Sequence, residues 1–193
     1  MTVDLYWLPF GAGGHSVRIN GRVFEAVSAR LQHRPVCDLY HSALVVDLPD
    51  EGRFVIEQAP ASTSLGPERG VVVEGPVGAR WAGRFRLFRY EVRRWRDGRI
   101  PDIDAAVGGP VRLTDDPATT RRLWEAAPLL PRTTWGRDEL HAGEMWNSNS
   151  VIAWLIVRSG LPVEEIHPPA GGRAPGWEAG VTVARRNQRT AGD

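Results

Sequence analysis

Lysine is absent from this sequence. All 24 basic residues are Arg, set against 23 acids for a formal net charge of +1. So even a balance removes the electrostatic basis for nucleic-acid binding across the whole chain, and the Arg-for-Lys bias fits a GC-rich genome. Cysteine is reduced to Cys37, which excludes an internal disulfide framework and the cysteine-based zinc signatures. Beside the strand-like run LYHSALVVDL, Cys37 reads as a small buried hydrophobe. No apolar run approaches the roughly 20 residues of a membrane-spanning helix. The opening MTVDLYWLPFGAGG has no basic region leading into an apolar core, so no secretory signal is expected. The His residues at 15, 33, 41, 141 and 167 show no metal-ligand spacing. Together these absences lead to the expectation of a soluble cytoplasmic protein without metal or cofactor.

What is present is an ordinary globular composition, 42% hydrophobic, with eight Trp in 193 residues. That length suits a single domain over 1–193. The first half reads as strands. HSVRINGRVFEAV alternates around Asn20-Gly21, a hairpin signal. LYHSALVVDL and RFVIEQA flank PDEG, a second hairpin that closes with Asp47 facing Arg53. GVVVEG and RFRLFRYEVRRW add two strands, the latter ended by Asp97-Gly98. RYEVRRWR is basic with interleaved aromatics, a pattern shared by a solvated edge strand and a phosphate-binding face.

The second half changes period. Asp115-Asp116-Pro117 opens a helix to about Ala127, closed by PLLPR. A second helix follows NSNS and stops at Gly160 and Pro162. PPAGGRAPG reads as a loop, EAGVTVARR as a last strand and residues 187–193 as a tail. Strands first and helices later predict an α+β domain with an antiparallel sheet.

Every residue from Val151 to Val157 is apolar, so this helix has no polar face and is expected to lie buried at the centre of the domain. Four small polar residues, Asn147-Ser148-Asn149-Ser150, precede it, where one would suffice as a cap. A hydroxyl at such a helix start is well placed for a nucleophile, and capping is the plainer role. A Ser nucleophile needs a base and an orienting group. His41 opens an apolar strand, and strand alternation puts Glu57 on its face, one diagonal away. Trp135, Trp146 and Trp177 are candidates for an apolar substrate wall or for core filling. GAGGH at 11–15 lacks the context of a phosphate loop. His15 and His141 are open to either a cleft or a surface role.

HSALVV, FVIEQAP and NSNSVIAWL, taken in that order, resemble the circularly permuted papain-like hydrolases and acyltransferases. These include lecithin retinol acyltransferase-like, PPPDE-type and NlpC-type relatives. The resemblance covers about residues 38–160 and implies an antiparallel sheet against a buried central helix. It places Ser148 where the family has its Cys nucleophile, His41 at the base and Glu57 at the third polar position, with Gln58 in that place if the strand register is shifted by one. The implied activity is cleavage of an amide, ester or thioester, with an oxyanion held by the Ser148 N–H and Asn147 or Asn149, and Trp146 beside the substrate. The substrate would be a small molecule, lipid or peptide. Because Ser replaces Cys, the alternative is an inactive domain that binds a peptide or lipid in the relic cleft.

Overall fold

Alternation of period two carries residues 38–60 into a hairpin. In the computed structural model, which describes residues 1–10, 30, 33, 35–61, 69–100 and 102–190, β2 (Asp38–Leu48) and β3 (Gly52–Pro60) pair antiparallel. Asp47 lies opposite Arg53, as the alternation predicts. β1 (Thr2–Pro9) lies along the other edge of β2, and β6 (Val111–Thr114) lies outside β1. On the far side, β5 (Arg89–Arg96) sits between β3 and β4 (Val71–Pro76). The order is β4-β5-β3-β2-β1-β6, with the two-residue β7 (Gly172–Arg173) parallel to the start of β2. Among the described residues three helices complete an α+β domain: α1 (Pro117–Ala126), α2 (Ser148–Ser159) and α3 (Trp177–Thr190).

Each sheet face has its own core. Val3, Leu5, Trp7, Tyr40, Leu44, Val46 and Ile56 point towards the helices. Leu8, Ala43, Val45 and Val55 point the other way, onto Ile100, Ile103 and Ala106. This parity fixes on which side every polar strand residue lies.

The centre of the larger core is α2, whose residues 148–157 are all buried. Each large aliphatic side chain there contributes roughly 2 kcal/mol of apolar burial. The other two helices reach it by different means. Asp116 caps α1 by accepting from the Thr119 N–H at 2.8 Å, with Pro117 in the first turn. α3 reaches α2 through Gly180, where an added Cβ would stand 2.2 Å from the Ser150 carbonyl oxygen and 2.9 Å from the Ala153 Cβ. Gly180→Ala is therefore expected to destabilise the protein by roughly 1–3 kcal/mol through overpacking, although Ala is the better helix former by about 1 kcal/mol. Denaturant unfolding measures the difference, and a gain in stability would contradict this close packing.

Several expectations are corrected. EAGVTVARR is helical, not a strand, and residues 187–190 continue α3 rather than forming a tail. Residues 191–193 and the Asn20-Gly21 hairpin lie outside the described residues. Residues 84–88 fall mainly in short 3-10 turns rather than in the strand that follows them. Cys37 is half-buried.

The strand RYEVRRWR is not an edge: β5 is interior, and Tyr90, Glu91, Val92 and Arg93 are buried. Its charges are tolerated because they are matched. Arg93 donates to Glu91 at 2.6 Å, to Glu57 at 3.4 Å and to the Pro60 carbonyl at 3.0 Å. Arg69 meets Glu91 at 2.9 Å. Buried ions persist only when paired in this way.

Candidate functional site

Of the four polar residues at the start of α2, three side chains are hydrogen-bonded and one, among the described residues, is not. Asn147 is the N-cap: its Oδ1 accepts from the Asn149 and Ser150 N–H groups, and the Ser150 hydroxyl accepts from the Asn147 N–H, closing a capping box. The other polar atoms reach outward. Asn147 Nδ2 donates to the Pro175 carbonyl at 2.8 Å, and the Ser150 hydroxyl donates to the Gly176 carbonyl at 2.7 Å. Asn149 Nδ2 donates to the carbonyls of Tyr40 and Pro175, each at 2.9 Å, while its Oδ1 accepts from the Ser42 hydroxyl at 2.8 Å.

Segment 172–176 is thus strapped across the start of α2 and clasped to β2. Gly176 is required at its crossing. Its φ is +84°, and a Cβ there would lie 2.5 Å from Asn147 Oδ1. Trp177, which begins α3, packs against Trp7 of β1 with ring centroids 5.1 Å apart. Asn147 and Asn149 therefore hold the fold together with the amides proposed for an oxyanion site. Trp146 is core rather than a substrate wall, and its Nε1 has no partner among the described residues. Ser148 occupies the first helical position, and its hydroxyl takes no part in the cap.

The structure does not bring His41 to Ser148. His41 pairs with Leu8, so it shares the face opposite α2, whereas the next residue, Ser42, is the one that meets Asn149. On its own face the imidazole stands edge-on to Phe10 at 6.2 Å and feels the charge of Asp102. Glu57 lies on that same face, as its alternation predicts, but its carboxylate is engaged by Arg93 rather than by the imidazole. Ser148, His41 and Glu57 therefore do not form a relay.

Burial also separates the titrations of the two groups. It lowers the His41 pKa, with Asp102 acting against it, and raises that of Glu57, with Arg93 acting against it. A lowered folded-state pKa means that the unfolded chain binds the extra proton more readily. Stability is then complete above the unfolded imidazole value of about 6.5 and declines as the pH falls below it. For Glu57 the sign reverses, and stability declines as the pH rises through the carboxylate range. His41→Gln should flatten the fall in melting temperature between about pH 7.5 and 5.5. An unchanged slope would mean that the imidazole is not held neutral by burial.

Among the described residues of the β2–β3 hairpin, two polar side chains share the face that α2 covers. Ser42 is one. The other is Gln58, placed opposite Ser42 by carrying the register one pleat beyond Leu44–Ile56. Gln58 is 7% exposed, and neither amide atom has a partner among the described residues. An unmatched buried amide is costly, which makes Gln58 the unexplained polar group on the helix face. Alternation puts Gln58 on the face opposite Glu57, and the position of α2 decides which of the two faces the helix.

Outside the strap lies a groove of about 280 Å³ with Val163, Ile166, Trp177 and Val181 in its lining. Glu144, Glu164, Glu178, Arg173 and Arg185 supply its charges. Glu144 also accepts from the Gly176 N–H at 2.8 Å, which ties the groove wall to the strap. Among the described residues no cluster of His, Cys, Asp and Glu could hold a metal, and no helix is long and apolar enough to cross a membrane. Compared with family models, curated proteins and solved structures, the chain matches none.

Proposed function

We propose that this chain is a non-catalytic, cytoplasmic binding domain with a permuted papain-like layout, which takes an extended peptide in the groove beside the strap. The observation that carries this reading is the engagement of Asn147, Asn149 and Ser150 in the clasp while His41 lies on the other sheet face. The polar equipment of an acyl-transfer site is used instead to fix one wall of a groove. Its apolar lining suits a hydrophobic side chain, and three acids against two arginines favour a neighbouring basic residue on the peptide. Support for the papain-like layout comes from the antiparallel sheet, the buried helix and the sequence resemblance.

The test is selection from a peptide library followed by titration. Peptides with an apolar anchor beside Arg or Lys should bind, and Ile166→Glu should weaken them about tenfold, since burying an unpaired charge opposes binding. Selection that returns no such peptide, or binding indifferent to Ile166→Glu, would overturn the proposal.

The second reading, a serine hydrolase or acyltransferase, rests on the one hydroxyl left out of the clasp, that of Ser148. Ser148→Ala should leave stability within about 0.5 kcal/mol, because no hydrogen bond is removed. Fluorophosphonate labelling that disappears in Ser148→Ala would establish the enzyme and displace the binding domain.

A further inference from the structure

The segment from Ala79 to Tyr90, ARWAGRFRLFRY, contains four Arg and no acid. It also carries the largest concentration of exposed apolar side chains among the described residues: Trp81 is 67% exposed, Phe85 49%, Leu87 84% and Phe88 45%. Its backbone is held from both ends. Arg80 reaches Glu139 at 2.7 Å, Arg89 pairs with Glu74, and the N–H groups of Phe85 and Phe88 close the 3-10 turns. Glu139 also accepts from Thr133 and Thr134, and Arg80 first, with these two, draws its pKa down to about 2. Ala82 is buried beneath the turn. The chain is thus fixed to the sheet while its large side chains are turned outward, an arrangement that a soluble surface rarely keeps without a partner.

We infer that residues 80–89 form a docking surface for an anionic phospholipid bilayer. Trp, Phe and Leu projecting together from one short segment can enter the boundary between headgroups and acyl chains. Arg84 lies over the rings of Trp81 and Phe85, at 5.6 and 4.8 Å from their centroids. Its guanidinium therefore lies beside the rings that would enter the interface, within reach of lipid phosphates. Arg80 and Arg89 are matched by Glu139 and Glu74, so the exposed Arg84 supplies the attraction to a phosphatidylserine-rich surface. This surface is separate from the peptide groove, so the two proposals stand or fall independently.

Vesicle co-sedimentation tests it. The full chain should sediment with mixed phosphatidylserine–phosphatidylcholine vesicles and remain in solution with phosphatidylcholine alone. Raised salt should release it. Leu87→Asp and Arg84→Glu should each lower partitioning by about tenfold. Both side chains are exposed, and circular dichroism of each variant establishes that the fold is kept. Equal sedimentation with neutral vesicles, or partitioning that both variants retain, would overturn the inference. So would finding that Leu87→Asp instead dissolves a dimer seen by analytical ultracentrifugation, since the patch would then bind a second copy.

Discussion

Asn149→Leu should destabilise the protein by about 4 kcal/mol, although Leu keeps the branched heavy-atom skeleton of Asn. The substitution leaves the Tyr40 carbonyl and the Ser42 hydroxyl without this partner, and leaves the Pro175 carbonyl to Asn147 alone. Each orphaned polar group costs roughly 1–3 kcal/mol, reduced where water can enter. Asn149 is a better target than the neighbouring cap, because its amide joins three separate pieces of chain, β2, α2 and the strap. Proteolysis should report the same event locally, with new cleavage between residues 168 and 176 before global unfolding. A loss below about 1 kcal/mol would show that the clasp is not what holds the strap.

Arg93→Met is expected to cost a similar amount, about 3–5 kcal/mol, for an electrostatic reason. Glu91 is fully buried, and Arg93 is its closest cation. Without it, Glu57 loses its only salt bridge among the described residues, and Glu91 keeps only Arg69. Both carboxyls should then resist ionisation in the folded state. The loss should be largest near neutral pH and shrink as acid protonates them. Adding Glu57→Gln and Glu91→Gln to Arg93→Met should recover much of the stability, because the triple variant buries no unpaired carboxylate, and Arg69, which loses Glu91, is 17% exposed. Equal instability of single and triple variants would assign the effect to packing instead.

The parts of this fold visible in the sequence are those where local pattern and tertiary environment agree. The β2–β3 hairpin is one, because its alternation is fixed by two cores of opposite facing. The all-apolar run from Val151 to Val157 is another. Residues 177–190 mislead because Val181, Thr182 and Val183 favour strands locally. In the structure, Trp177, Val181 and Ala184 fall on one helical stripe and Gly180 admits α2 at close range, so tertiary packing overrides propensity. β5 misleads for a different reason. A strand with so many charges reads as solvated until its partners on β3 and in the loop before β4 are known. β1 went unread because its alternation in TVDLYWL has no turn signal before it.

The site was legible in its location but not in its wiring. The excess of small polar residues before α2 does mark a special place. Which sheet residue meets them depends on a parity that differs by one between His41 and Ser42, and between Glu57 and Gln58. A one-residue change of register exchanges the two faces of a strand. Spacing could establish that His41 and Glu57 share a face, which the structure bears out. It could not establish which face α2 would cover.

The measurement closest to the central claim is the alkylation rate of Ser148→Cys in a Cys37→Ser background, with and without His41→Gln. The helix start favours a thiolate whether or not an imidazole is near. If His41 lies on the far face of the sheet, the two rates should agree within about twofold across the neutral range. A rate that falls about tenfold or more when His41 is replaced, with a pH profile that loses an ionisation near that of an imidazole, would put His41 beside Ser148 and contradict the account.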